Sequence, residues 1–131
     1  YAGLNNSDEL FIQESNLIKD LADKESCVIV GRCADFILKD KKNVLKIFVS
    51  SSMENKIKRA TEFYHMDKEN AEKEIARINK LRSNHYEYYT ERGWETPSNY
   101  DICVNSDSIG INNVVDLICS IVEKSKELAI K

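Results

Sequence analysis

The sequence predicts an α/β layered fold with parallel strands, on three observations. Short, continuously apolar runs of strand length recur along the chain, amphipathic stretches with helical spacing alternate with them, and Gly, Ser and Pro residues punctuate the joins. Strands that are apolar on both faces belong to sheets covered on both sides, which is the habit of parallel sheets.

From Leu10 to Lys24, Leu10, Phe11, Leu17, Ile18 and Leu21 fall on one helical face, after a polar, turn-like stretch at 1–8. CVIV at 27–30 is a buried-strand pattern that stops at Gly31, and ADFIL at 34–38 reads as a short helix or turn. VLKIFV at 44–49 is a second strand pattern, followed by three serines. Ser51 with Glu54 three residues on is a capping box, so a helix is predicted there, with Met53, Ile57, Ala60 and Tyr64 as its apolar stripe. His65-Met66-Asp67 turns the chain, and Asp67 caps a long helix over 68–89 with Ala71, Ile75, Ile78, His85 and Tyr89 in phase. Gly93-Trp94 and Thr96-Pro97 break it. YDICV at 100–104 is a third strand, and 114–121 opens a final amphipathic helix. The helical excursion over 53–92 is too long for a minimal crossover between strands and reads as a lid region within one domain over 1–131.

Composition narrows the function. The chain has 131 residues, 42% apolar and 31% charged, with 19 basic and 22 acidic side chains interspersed to a net charge of −3. No basic tract points to nucleic acid, and no run approaches the roughly 18 apolar residues of a membrane span. Cys27, Cys103 and Cys119 lie in apolar runs and no CxxC pair occurs, so the four thiols are expected to be reduced and packed, without a metal, in a cytoplasmic protein.

In open α/β sheets ligands bind beyond the carboxyl ends of the strands. Arg32 follows the first strand pattern directly, after a glycine; it holds either a phosphate or a loop carbonyl or surface carboxylate. Arg82 shares phase with the apolar stripe and is expected on the packed face, where its charge requires an anion, either an internal carboxylate or a phosphate. Arg59 and Arg77 lie on the same hairpin, each reading singly as a solvated residue. Tyr86, Tyr88, Tyr89 and Trp94 either pack the helix end or stack on a base. Asn105-Ser106 sit at the ligand-bearing edge and are also common turn and cap residues.

Taken together and in order, VIVGRCADFIL, VLKIFVSSSMENKIKRA, AEKEIARINKLRSNHYEYYTERGW and NYDICVNSDSIGI resemble the cytidylate-kinase-like family of P-loop kinases. The resemblance implies a three-layer α/β/α P-loop kinase-like parallel sheet with a helical lid hairpin, the sheet incomplete within these residues. It implies ATP-dependent phosphorylation of a nucleoside monophosphate, CMP or dCMP, with Mg²⁺. By the same match Arg32 holds the acceptor phosphate, with Asp35 and Asn79 on the acceptor side. Arg82, with Arg77 or Arg59, neutralises charge on the transferred group, and Asn105 and Ser106 belong to a loop lying against the ATP base.

The sequence departs from that pattern in three places. Cys33 stands where the family motif reads GRD, and Asn79-Lys80-Leu81-Arg82 stands for Asp-x-x-Arg. No GxxxxGK[ST] loop occurs, since the only glycines are at 3, 31, 93 and 110. That loop and its strand are therefore expected upstream of Tyr1, and residues 1–131 alone are expected to be inactive and not to bind ATP productively, the activity belonging to the intact protein. The alternative is that the first two strand patterns pair directly. Two other functions fit the residues: a regulatory module that binds nucleotide or phosphate without catalysis, and a P-loop kinase of another small metabolite.

Overall fold

The computed structural model describes residues 5–125, which form two compact units divided between Lys41 and Lys42. It is a mixed helix/strand structure with one small parallel sheet.

In the first unit, α1 (Asn6–Lys24) starts at Asn5, whose side chain accepts from the Asp8 N–H at 2.8 Å, and Asp8 and Glu9 complement the helix dipole. A short α2 (Ala34–Ile37) packs beside it. Only Ile18 of the predicted face of α1 is buried; Leu10, Leu17 and Leu21 are exposed. CVIV is not a strand. Residues 27–30 carry no ladder hydrogen bonds, and Val28 and Val30 are 92% and 81% exposed. An apolar run becomes a strand only where a neighbour supplies backbone partners, and among the described residues none does. The alternative in which the first two strand patterns pair is overturned by the same observation.

In the second unit β1 (Ile47–Ser50) pairs in parallel with β2 (Ile102–Asn105), in register from Ile47↔Ile102 to Ser50↔Asn105. The connection holds the predicted hairpin of α3 (Met53–Phe63) and α4 (Lys68–Thr90). Ser52, one residue later than predicted, caps α3 by accepting from the Asn55 N–H at 3.2 Å. Asp67 caps α4 as expected, accepting from Asn70 N–H at 3.0 Å. The two helices contact each other, and small Ala60 and fully buried Ala71 lie on them. After α4, Glu91 turns the chain in the left-handed region, and Phe48, Trp94 and Tyr100 cluster beside β1, with ring centroids 5.7 and 5.0 Å from Phe48. The Tyr100 hydroxyl closes this loop on the Trp94 carbonyl at 2.6 Å.

Beyond β2 the chain forms a one-turn helix that the sequence did not suggest, α5 (Ser106–Ile109), and then α6 (Ile111–Ser125). The join is Gly110, at φ +91° and ψ 141°, a backbone region that suits glycine almost alone. The cysteine expectation needs correction: only Cys33 is buried, while Cys27, Cys103 and Cys119 are exposed and all four are free thiols. Cys27 lies in the unpaired stretch before Gly31, and the other two fall on uncovered faces of β2 and α6. Among the described residues no helix is long and apolar enough to cross a membrane.

Candidate functional site

The carboxyl ends of β1 and β2 lie side by side, so the residues that follow each strand meet. Ser50 ends one strand and Ser51-Ser52 follow it; Asn105 ends the other and Ser106-Asp107 follow it. The Ser106 hydroxyl donates to the Ser50 carbonyl at 3.1 Å, and the Ser51 hydroxyl donates to Asp107 Oδ1 at 2.8 Å. The Ser52 N–H donates to Asp107 Oδ2 at 2.7 Å. The Asn105 side chain caps α5, accepting from the Asp107 N–H at 2.9 Å.

Next to this knot opens a cleft of about 250 Å³ lined by Asn55, Lys58, Arg59, Glu62, Phe63, Ser106, Asp107 and Ile111. Its α3 side follows helical spacing, with Asn55, Arg59 and Glu62 on successive turns of one face. Phe63 and Ile111 give it apolar walls, and both are substantially exposed. Lys58 and Arg59 supply positive charge, and Glu62 and Asp107 supply negative charge.

The predicted site residues have different fates. Arg59 and Ser106 come together in the cleft. Asn105 is committed to its cap. Arg77 lies outside, paired with Glu74 at 2.5 Å; that hydrogen bond lowers the Glu74 pKa and raises that of Arg77. Arg82 is exposed rather than on the packed face, with its guanidinium 5.9 Å from the Trp94 ring centroid. The stripe that predicted its burial is itself only partly covered: Ala71 is sealed, but Ile78 is 38% exposed, so α4 is not packed along its whole length. Asn79, three residues before Arg82 on α4, is half-buried.

Arg32 and Asp35 belong to the first unit. Gly31, Arg32 and Cys33 take φ of 71°, 58° and 57°, a single left-handed turn. For the two residues with a Cβ this costs roughly 1–2 kcal/mol each, strain of a kind that concentrates at functional positions. The turn leaves the Arg32 side chain 66% exposed, 3.7 Å from Glu14. An exposed pair at that distance is weak, so the guanidinium remains available to a stronger anion. Cys33, in place of the family acid, is buried beside Asp35 and Glu14. Burial first, then those two carboxylates, push its thiol up to about 11.

Asp107 is the residue that sequence reasoning missed. An acid one residue past the strand-end Asn-Ser pair was the available signal, but its partners lie 55 and 56 positions earlier. The Ser52 N–H, then the Ser51 hydroxyl, with smaller contributions from Ser52 and Asn55 side chains, hold its carboxyl down at about 2, against an ordinary 3.8. A depressed carboxylate stabilises the fold above its unfolded pKa and loses that contribution as pH falls through its folded one. Acid unfolding should therefore steepen between about pH 4 and pH 2. In Asp107→Asn that part of the pH dependence should vanish, read by circular dichroism across a pH series.

Arg59 and Ser106 thus lie at the carboxyl edge of a parallel strand pair, the edge at which open α/β sheets bind ligands. The chain matches the cytidylate kinase-like family over residues 3–108 and belongs to that family. Its structure is similar to the crystal structure of an uncharacterized protein from Eubacterium ventriosum, at 29% identity and a TM-score of 0.84, covering 92% of this chain and 69% of that one. No curated protein matches it. Family membership places its function in the nucleotide-kinase-like class.

Proposed function

We propose that the protein is an ATP-dependent nucleoside-monophosphate kinase acting on CMP or dCMP, with the three-layer α/β/α P-loop kinase arrangement. The observation that carries this reading, beside the family, is the meeting of Arg59 and Ser106 in one cleft at the carboxyl edge of the parallel strands. Phosphoryl transfer relies on positioning and on cations that neutralise spread negative charge. Arg59 is suited to that role, and Lys58 adds to the field. In this reading Arg32, with Asp35, takes the acceptor phosphate, and Arg82 and Asn79 serve from the hairpin.

The residues present fit one end of the donor. Ligand pockets usually enclose about 300–1,000 Å³, so a 250 Å³ cleft accepts part of a nucleotide, its phosphate end facing Lys58 and Arg59, rather than a whole nucleoside triphosphate. ATP supplies the phosphoryl group. Among the described residues no three His, Cys, Asp or Glu side chains form a metal-ligand group. A Mg²⁺ carried on nucleotide phosphates requires no such group, because it takes few protein ligands and keeps several waters.

A second reading has its own observation. Cys33 is a buried thiol that stays protonated at neutral pH, so it cannot do the work of the acid in the family motif. A module that binds a nucleotide without turnover fits that change. The test is CDP formation from CMP and ATP by the full-length protein, run beside calorimetry of CMP binding and a panel of other monophosphates and small acceptors. Turnover with CMP or dCMP supports the kinase. CMP binding with no turnover selects the regulatory module, turnover with another metabolite alone corrects the acceptor, and neither binding nor turnover rejects the nucleotide reading.

A further inference from the structure

We propose that Asp107 is the positioning residue of the cleft: its carboxylate fastens the segment after β2 to the start of α3, and thereby sets Ser106 and Ile111 opposite Arg59 and Phe63.

Two oxygens of one carboxylate accept from two consecutive residues of the other strand's continuation, Ser51 Oγ and Ser52 N–H. The bridge is therefore bidentate and defines orientation as well as distance. A charged acceptor makes hydrogen bonds stronger than a neutral one, and a negative group beside the first turn of α3 complements that helix dipole. Ser106 adds its own bond to the Ser50 carbonyl, which registers the segment along the strand. Gly110 N–H then closes α5 on the Ser106 carbonyl at 2.9 Å, and α6 begins immediately afterwards with Ile111. The position of Ile111 thus follows from where Asp107 is anchored. On the other side, Ser52 is the cap of α3, and Asn55 and Arg59 lie one and two turns further along it. One carboxylate therefore links the two walls. Asp107 itself lines the cleft, and its oxygens are occupied by the bridge.

The anchoring is independent of what the cleft binds; its effect on nucleotide affinity rests on the reading above. The test compares the full-length wild-type protein with its Asp107→Ala variant and with its Ser51→Ala variant, which removes one of the two donors and serves where Asp107→Ala does not fold. Nuclear Overhauser contacts across the cleft, between α3 and Ser106–Ile111, are read alongside those within the α3–α4 hairpin, and ATP affinity is read by calorimetry. Loss of the cross-cleft contacts with the hairpin contacts retained is expected. So is ATP binding weaker by about tenfold in Asp107→Ala and about threefold in Ser51→Ala, the scale of losing one to two hydrogen bonds. Cross-cleft contacts that persist in both variants overturn the anchoring. Lost contacts with unchanged ATP affinity show a purely structural bridge and overturn the positioning role. Full-length wild type that binds no ATP rejects the nucleotide reading, while the contacts still decide the anchoring.

Discussion

Arg59→Ala is expected to lower the rate of phosphoryl transfer by about a hundredfold or more, the scale seen when one charge-stabilising donor is removed from a transition state. The three hairpin arginines are not equivalent. Arg77 already serves Glu74 through a short ion pair, and Arg82 lies near the Trp94 ring. Arg59 makes no ion pair among the described residues and opens onto the cleft. The loss should appear in kcat rather than in the KM for the acceptor, because the charge it meets develops in the reaction. Arg77→Ala should change kcat by no more than about twofold, since an exposed i,i+3 pair contributes little. Steady-state kinetics on the two variants check this; equal losses at Arg59 and Arg77 would refute the ranking.

The second large effect is on stability. Tyr86 is 4% exposed and Tyr88 is 65% exposed, two residues apart on α4. Truncating a buried aromatic side chain to alanine costs about 3–5 kcal/mol in lost transfer energy and residual cavity. For a chain of this length that lowers Tm by roughly 10–20 °C. Tyr88→Ala should stay within about 0.5 kcal/mol of wild type, as surface changes do. Thermal and urea unfolding of the pair separate the two cases, and similar shifts in both would contradict the burial difference.

These tyrosines also show what sequence could and could not deliver. Periodicity set the length of α4 to within a residue, because its cap, Asp67, is a local signal and its spacing persists over 23 residues. It could not say which face would be covered, since that depends on what packs there; Arg82 was expected inside and is outside, while Tyr86 fell outside the chosen stripe and is buried. CVIV failed for a related reason: a strand is a relation between two segments, and apolarity describes only one. The capping box favoured Ser51 as the cap of α3, and the choice of Ser52 follows from the recruitment of Ser51 by a carboxylate more than fifty positions away. Arg59 and Ser106 were legible as candidates through the resemblance, but their proximity was not. Asp107 carried no signal beyond its place after the strand-end Asn-Ser pair, and its role becomes visible only when the strand ends are laid side by side.

The parallel pairing of β1 with β2 also bears on the order in which the molecule assembles. Each bond that joins the two strand ends spans 54 to 56 positions, whereas the contacts of the α3–α4 hairpin are between neighbours in the chain. Local contacts form in microseconds, and the entropy of closing a long loop delays the distant ones. The hairpin therefore forms early and the strand edge closes late, so the cleft is completed only as the chain reaches its native topology. In the reverse direction, any fluctuation that parts the two strands disassembles the cleft while the helices on either side of the turn at His65 remain intact.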